Sequence, residues 1–148
     1  MALAHVDRKA WLGLLARAPE GRVTSLLSEA ACEGEATLLR PPEIGSVMVR
    51  GRAGGSGAAF NLGEMTVTRC TLTLADGTVG HGHVQGRRKA DAEASAMVDA
   101  LMQTKEAARV KAMILDPLST EEAARRAIRA EKAAATKVDF FTMARGGG

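Results

Sequence analysis

The dipeptide Asp76-Gly77 sits between two runs of strand-forming residues, and a β-hairpin is the local structure that such a segment favours. Before it, Met65 to Leu74 is dominated by Thr, Val and Leu; after it, Thr78 to Gln85 reads as the return strand. An antiparallel sheet therefore lies in the middle of the chain. Met65 and Val67 share one face of the outgoing strand, while Cys70, Leu72 and Leu74 share the other. The apolar phase switches near Thr68-Arg69, as a bulge or burial on both faces would cause. A two-residue loop pairs Leu74 with Val79, Leu72 with His81 and Cys70 with His83. That register gathers a thiol and two imidazoles on one face, as a metal site or a thiol–imidazole pair would require. The same face carries Leu72, Leu74 and Val79, the pattern of a packed surface, and neither a fourth ligand nor an orienting carboxylate is evident. No metal ligand and no catalytic residue is assigned.

Helical periodicity flanks the sheet on both sides. Asp7 can cap a segment in which Trp11, Leu14, Leu15 and Ala18 recur at helical spacing, and Pro19 breaks it and can start the next. Val23, Leu26, Leu27, Ala30 and Ala31 form one clean face. Pro41-Pro42 and Gly45 then end helical structure, and Ser46 to Arg52 alternates, Val47 and Val49 against Met48, Arg50 and Arg52. Gly51, Gly54, Gly55 and Gly57 make a loop. Gly86 ends the sheet, and from about Lys89 a stripe of Ala90, Ala94, Met97, Val98, Leu101 and Met102 marks a helix. Asp116-Pro117 closes that region. Ser119 with Glu122 forms a capping box for a last helix, whose apolar side is Ala123, Ala124, Ala127, Ile128 and Ala134. The closing Val138-Asp139-Phe140-Phe141-Thr142-Met143 is too apolar for a loose tail. Helices, strands, helices: the expected class is α+β, an antiparallel sheet with a central Asp-Gly hairpin flanked by N- and C-terminal helices, in a single domain over residues 1–148.

Alanine supplies 28 residues of the apolar fraction of 46%, and the aromatics are Trp11, Phe60, Phe140 and Phe141. Alanine buries little area, so the core is thin and a partner would complete it, although base bias in the genome gives the same composition. The net charge of +3 is too mild to argue nucleic-acid binding, and so few aromatics make a poor stacking platform. No run reaches the ~20 apolar residues of a membrane span. The first residues lack a secretory pattern, and Cys32 and Cys70 are too few for a disulfide framework. The expected location is the cytoplasm.

Three basic features compete with bland readings. The loop Arg50-Gly51-Arg52-Ala53-Gly54-Gly55-Ser56-Gly57 offers backbone N–H groups for an anion and two arginines to clamp it, though it also reads as a flexible connection. It is no P-loop, since Gly-Lys-Ser/Thr is absent. Gly86-Arg87-Arg88-Lys89 places cations at a strand-to-helix junction, where Asp91 and Glu93 stand ready to offset them. Arg125, Arg126, Arg129 and Lys132 form a stripe on the last helix, beside Glu121, Glu122 and Glu131. The candidate contacts to phosphate or to a partner are Arg50, Arg52, Gly54, Gly55, Gly57, Arg87 and Lys89. Two simpler functions fit these features as well: a small basic nucleic-acid-binding module, or a homo-oligomeric anion-binding module.

Several stretches together resemble the PhnG family, a small subunit of the bacterial carbon–phosphorus lyase core complex. They are Arg52-Ala-Gly-Gly-Ser-Gly57, Phe60, Gly63-Glu64, Val67-Thr68-Arg69, Leu74-Ala-Asp-Gly77, Val84-Gln-Gly-Arg87, Asp99-Ala-Leu-Met-Gln103 and Thr136-Lys-Val-Asp-Phe-Phe-Thr-Met-Ala-Arg-Gly146. The N-terminal Trp11 and Leu15 also fit, so nearly the whole chain is covered. Glu64, Thr68, Arg69, Gly86, Asp139, Phe140 and Phe141 match the family signature; His81 and His83 do not. The resemblance implies a subunit of a transferase complex whose isolated chain is not catalytic. With PhnI, PhnH and PhnL the family supports displacement of adenine from ATP by a phosphonate, giving α-D-ribose 1-methylphosphonate 5-triphosphate. PhnJ later cleaves the carbon–phosphorus bond. The implied direct partner is PhnI, and the chain itself is expected to hold no cofactor, ATP and phosphonate being substrates of the complex. Neither membrane nor nucleic acid is an expected partner.

Overall fold

The computed structural model describes residues 5–32, 34–52 and 57–146. The order is α1 (His5–Arg17), α2 (Arg22–Glu29), β1 (Ala36–Arg52), β2 (Ala59–Leu74), β3 (Val79–Gln85), α3 (Lys89–Leu101), α4 (Ala107–Val110), a π-helical turn (Lys111–Leu115) and α5 (Asp116–Gly146). Mixed α+β architecture with flanking helices is what the sequence pattern requires. Among the described residues the sheet has three antiparallel strands in the order β1-β2-β3.

Local details depart from expectation for physical reasons. Helix α1 opens at His5, so Asp7 lies inside its first turn. Pro19 sits in the connecting turn, and Gly21 at φ +80° supplies the left-handed step before α2. Strand β1 begins at Ala36 and runs straight through Pro41-Pro42. Proline cannot donate to a ladder, but β1 is an edge strand, and register shifts between Leu38 and Arg40 and between Arg40 and Glu43 accommodate the pair. Gly51 and Arg52 also belong to β1, opposite Phe60 and Ala59. Gly54 and Gly55 lie outside the described residues.

The hairpin loop contains three residues, not two. The Gly77 N–H donates to Leu74 C=O (3.0 Å), the Leu74 N–H donates to Thr78 C=O (2.8 Å), and Gly77 takes φ +91°. This is a turn followed by a left-handed glycine, and the extra residue moves the register by one. His81 faces Thr71 and His83 faces Arg69, while Cys70 and Leu72 face Gly82 and Gly80. Both imidazoles therefore occupy the sheet face opposite Cys70. The register is unbroken through Thr68-Arg69, and adjacent Val67 and Thr68 are both fully buried. Burial on both faces, not a bulge, explains the switch in apolar phase.

Helix α3 joins two parts of the core. Its Ala92, Ala96 and Ala100 pack against Cys70, Leu72 and Val84 of the sheet. Its Ala94, Val98 and Leu101 join Trp11, Leu15, Val23, Leu26, Ile114 and Leu118 of the helical layer. Gly80 and Gly82 let the helix approach closely: a Cβ on either would overlap the carbonyl oxygens of Ala96 or Ala92.

Asp116-Pro117 does not close the preceding helical region. The wider π turn runs directly into α5, and it lies where Pro117 withholds a backbone hydrogen and crowds the preceding turn. Farther along α5, Ala123, Ala124, Ala127, Ile128 and Ala134 are exposed. Among the described residues the expected apolar side therefore finds no cover. The side chains of Asp139, Phe140 and Phe141 lie outside the described part, which includes only their helical backbone.

Strand β3 pairs with β2 only from Val67 to Thr73, whereas β1 and β2 stay paired out to Arg52 and Ala59. Residues 46–52 and 59–66 thus project as a two-stranded ribbon. It exposes Met48, Phe60 and Leu62, and Ile44 is exposed at its base.

Candidate functional site

The turn from β3 into α3 is the most heavily organised polar region near the candidate residues. Gly86 at φ +88° reverses the chain. The Thr68 hydroxyl, fully buried, donates to Gly86 C=O (2.6 Å) and accepts from the Arg88 N–H (2.9 Å). One side chain on the central strand thereby fixes both ends of the turn. The Arg88 guanidinium donates to Gln85 C=O and Ala18 C=O, each at 2.8 Å, and reaches Asp91 at 3.5 Å. Buried Asp91 also accepts from the Gly21 N–H (2.8 Å) and the Thr24 hydroxyl (2.7 Å). Arg88 and Asp91 therefore lock α2 to the start of α3.

Arg87 and Lys89 remain exposed beside this lock. A shallow cleft of about 590 Å³ lies between α2 and α3, lined by Thr24, Ser25, Ser28, Arg87, Lys89 and Asp91 among others. Hydroxyls, two outward cations and the positive end of α3 suit an anionic group with several oxygens.

The other candidate cations lie elsewhere. Arg50 faces Asn61 and Arg52 faces Ala59 near the end of the ribbon, while Gly86 donates to Thr66 C=O. Five residue steps along the strand separate Asn61 from Thr66, roughly 16 Å at strand rise. Arg50 and Arg52 therefore do not join Arg87 and Lys89 in one small pocket. Gly57 sits at a bend before β2, Glu64 is exposed opposite Met48, and Arg69 is exposed between Glu43 and His83.

Cys70, His81 and His83 are not brought together as a metal or thiol–imidazole centre. The register separates Cys70 from both histidines, and among the described residues no group of three His, Cys, Asp or Glu could hold a metal ion. Burial pushes the Cys70 thiol up from its ordinary range, with Glu93 adding to the effect. Burial, then nearby Arg69, holds the His83 imidazole below its usual value.

Asp99 has no counterpart among the candidate residues read from the sequence. Its carboxylate is fully buried and accepts from Arg8 Nε (3.2 Å) and Nη2 (2.8 Å), Trp11 Nε1 (2.8 Å) and the His81 N–H (2.9 Å). It joins α1, β3 and α3. Its visible signal is an acid among the apolar residues Val98, Ala100 and Leu101. Gln103 extends the same joint by donating to Val79 C=O (2.9 Å).

These features define an α+β protein in which the described polar constellations join one element to another. The chain matches the family described as phosphonate metabolism protein PhnG over residues 6–146, and it belongs to that family. It is 44% identical over 141 residues to the Rhizobium meliloti (strain 1021) alpha-D-ribose 1-methylphosphonate 5-triphosphate synthase subunit PhnG, spanning 95% of this chain and 90% of that protein. No helix among the described residues is long and apolar enough to cross a membrane.

Proposed function

We propose that this chain is a non-autonomous subunit of a ribose 1-methylphosphonate 5-triphosphate synthase. With PhnI, PhnH and PhnL it supports displacement of adenine from ATP by a phosphonate at the ribose C1. PhnJ belongs to the same machinery and acts later. The observation that carries this reading is the 44% identity to a protein named as a subunit of that synthase. The exposed ribbon and the uncovered α5 support it physically, because apolar surface left in water favours association.

The chain contributes positioned surface, not a reacting group. Arg87 and Lys89, held outward by the Thr68 and Arg88 contacts, are the residues for phosphate oxygens of the bound triphosphate or for a partner carboxylate. Arg50 and Arg52 make separate contacts from the ribbon. The chain alone, given ATP and methylphosphonate, should release no adenine. Robust release by the isolated chain overturns the proposal. In the assembled synthase, Arg87→Ala with Lys89→Ala should raise the KM for ATP about 10-fold or more, since each lost charge-assisted hydrogen bond costs about 1.5–3 kcal/mol. An unchanged KM removes the phosphate role of this pair.

A further inference from the structure

The outer edge of β1 divides into two unlike halves. From Ala36 to Pro42 it contains two prolines and two register shifts, which spoil a ladder. From Glu43 to Val49 the register is unbroken and proline is absent. The orientation of the peptide groups there follows from one hydrogen bond. Thr66 C=O accepts from the Gly86 N–H (2.8 Å), so the polar groups of Thr66 point toward the β3 side. Ser46 is the β1 partner of Thr66, and alternation turns the Ser46 N–H and C=O away from β2. Ile44 and Met48, two residues to either side in the same register, also direct their peptide groups outward.

The side chains along this edge are apolar on both faces. Ile44 and Met48 are 40% and 50% exposed on one face, and Val47 and Val49 are half-buried on the other. A strand facing water on one side ordinarily alternates apolar with polar residues. An edge with open peptide groups, apolar residues on both faces and no proline is a template for a further strand.

Charge decides whose strand it is. Strand β1 carries Arg40, Arg50 and Arg52 against Glu43. A second copy laid antiparallel would carry its Arg40 end toward Arg50 and Arg52, and like charges on facing strands repel. We infer that residues 43–49 of β1 accept a β-strand from a companion subunit, with apolar residues in its middle and carboxylates where it passes Arg50 and Arg52. This rests on the reading of the chain as a subunit.

The test uses the full chain, tagged and co-expressed with the companion synthase subunits. Ser46→Pro removes one outward N–H and should leave the isolated fold intact, because an edge strand tolerates proline where its N–H faces water. Ser46→Ala removes the hydroxyl and keeps the N–H. The expected result is at least a tenfold loss of recovered companions with Ser46→Pro and wild-type recovery with Ser46→Ala. In the wild-type complex, hydrogen exchange at the Ile44, Ser46 and Met48 amides should slow at least tenfold relative to the free chain. Wild-type recovery by both variants, equal loss by both, or unchanged exchange overturns strand addition. A homodimer that Ser46→Pro dissolves overturns the assignment of the occupant. A wild-type chain that recovers no companion brings down the subunit reading itself.

Discussion

Asp99 shows how much one residue can join. A carboxylate in a protein interior must be paired and hydrogen-bonded, and this one accepts from two side chains and a backbone amide. Asp99→Ala leaves the Trp11 N–H and His81 N–H without an acceptor and Arg8 without its ion pair. The expected cost is about 3 kcal/mol or more, read as a lower urea midpoint. A loss under about 1 kcal/mol contradicts the role assigned to the joint. Thr68→Val keeps volume and removes the hydroxyl that clasps Gly86 and Arg88. It should cost about 1–3 kcal/mol in the same measurement, and a neutral effect would show that the turn holds itself. Neither role was legible in the sequence, because each acts on groups brought together only by the fold.

At the scale of elements, α3 against β3 sets the architecture. Gly82→Val should prevent folding or expose the core to dye binding, since the helix carbonyl at Ala92 stands where the new side chain would go. The start of α5 is fastened to the N-terminal helices by Arg17–Glu122 at 2.8 Å and Arg22–Glu121 at 2.9 Å. Arg17 holds the Glu122 carboxyl below its ordinary value of 4.5, and Arg22 does the same for Glu121. A lowered folded-state pKa means that the unfolded chain binds more protons. The stabilisation is therefore complete above the ordinary glutamate range and fades as the pH falls through the lowered folded values. A variant with both Glu121→Gln and Glu122→Gln should lose less stability than the wild type between pH 6 and 3. Equal slopes in denaturant midpoint against pH would contradict this.

Across the whole molecule, the α+β class and the order of elements were legible because they follow from hydrophobic period and turn residues. The hairpin register was not. Asp76-Gly77 fits both a two-residue loop and a three-residue loop, and one extra residue moves His81 and His83 to the other face. The extent of β1 was hidden by Pro41-Pro42, which reads as a break unless the strand is known to lie at an edge. The scattering of candidate cations was hidden too, since the chain spacing of Arg50, Arg52 and Arg87 says nothing about the reach of the ribbon. Phe60 and Leu62 on the ribbon and Ile128 on α5 stand in water in the isolated chain.

The proposed function requires dependence in both directions: no adenine release by the chain alone, and little by its companions without it. Adenine release from ATP in the presence of methylphosphonate measures this directly, with the companion subunits purified without the chain and the chain then added back. The account predicts little release from either preparation alone and full release on mixing, saturating at a fixed molar ratio. Full release by the companions without this chain would contradict it.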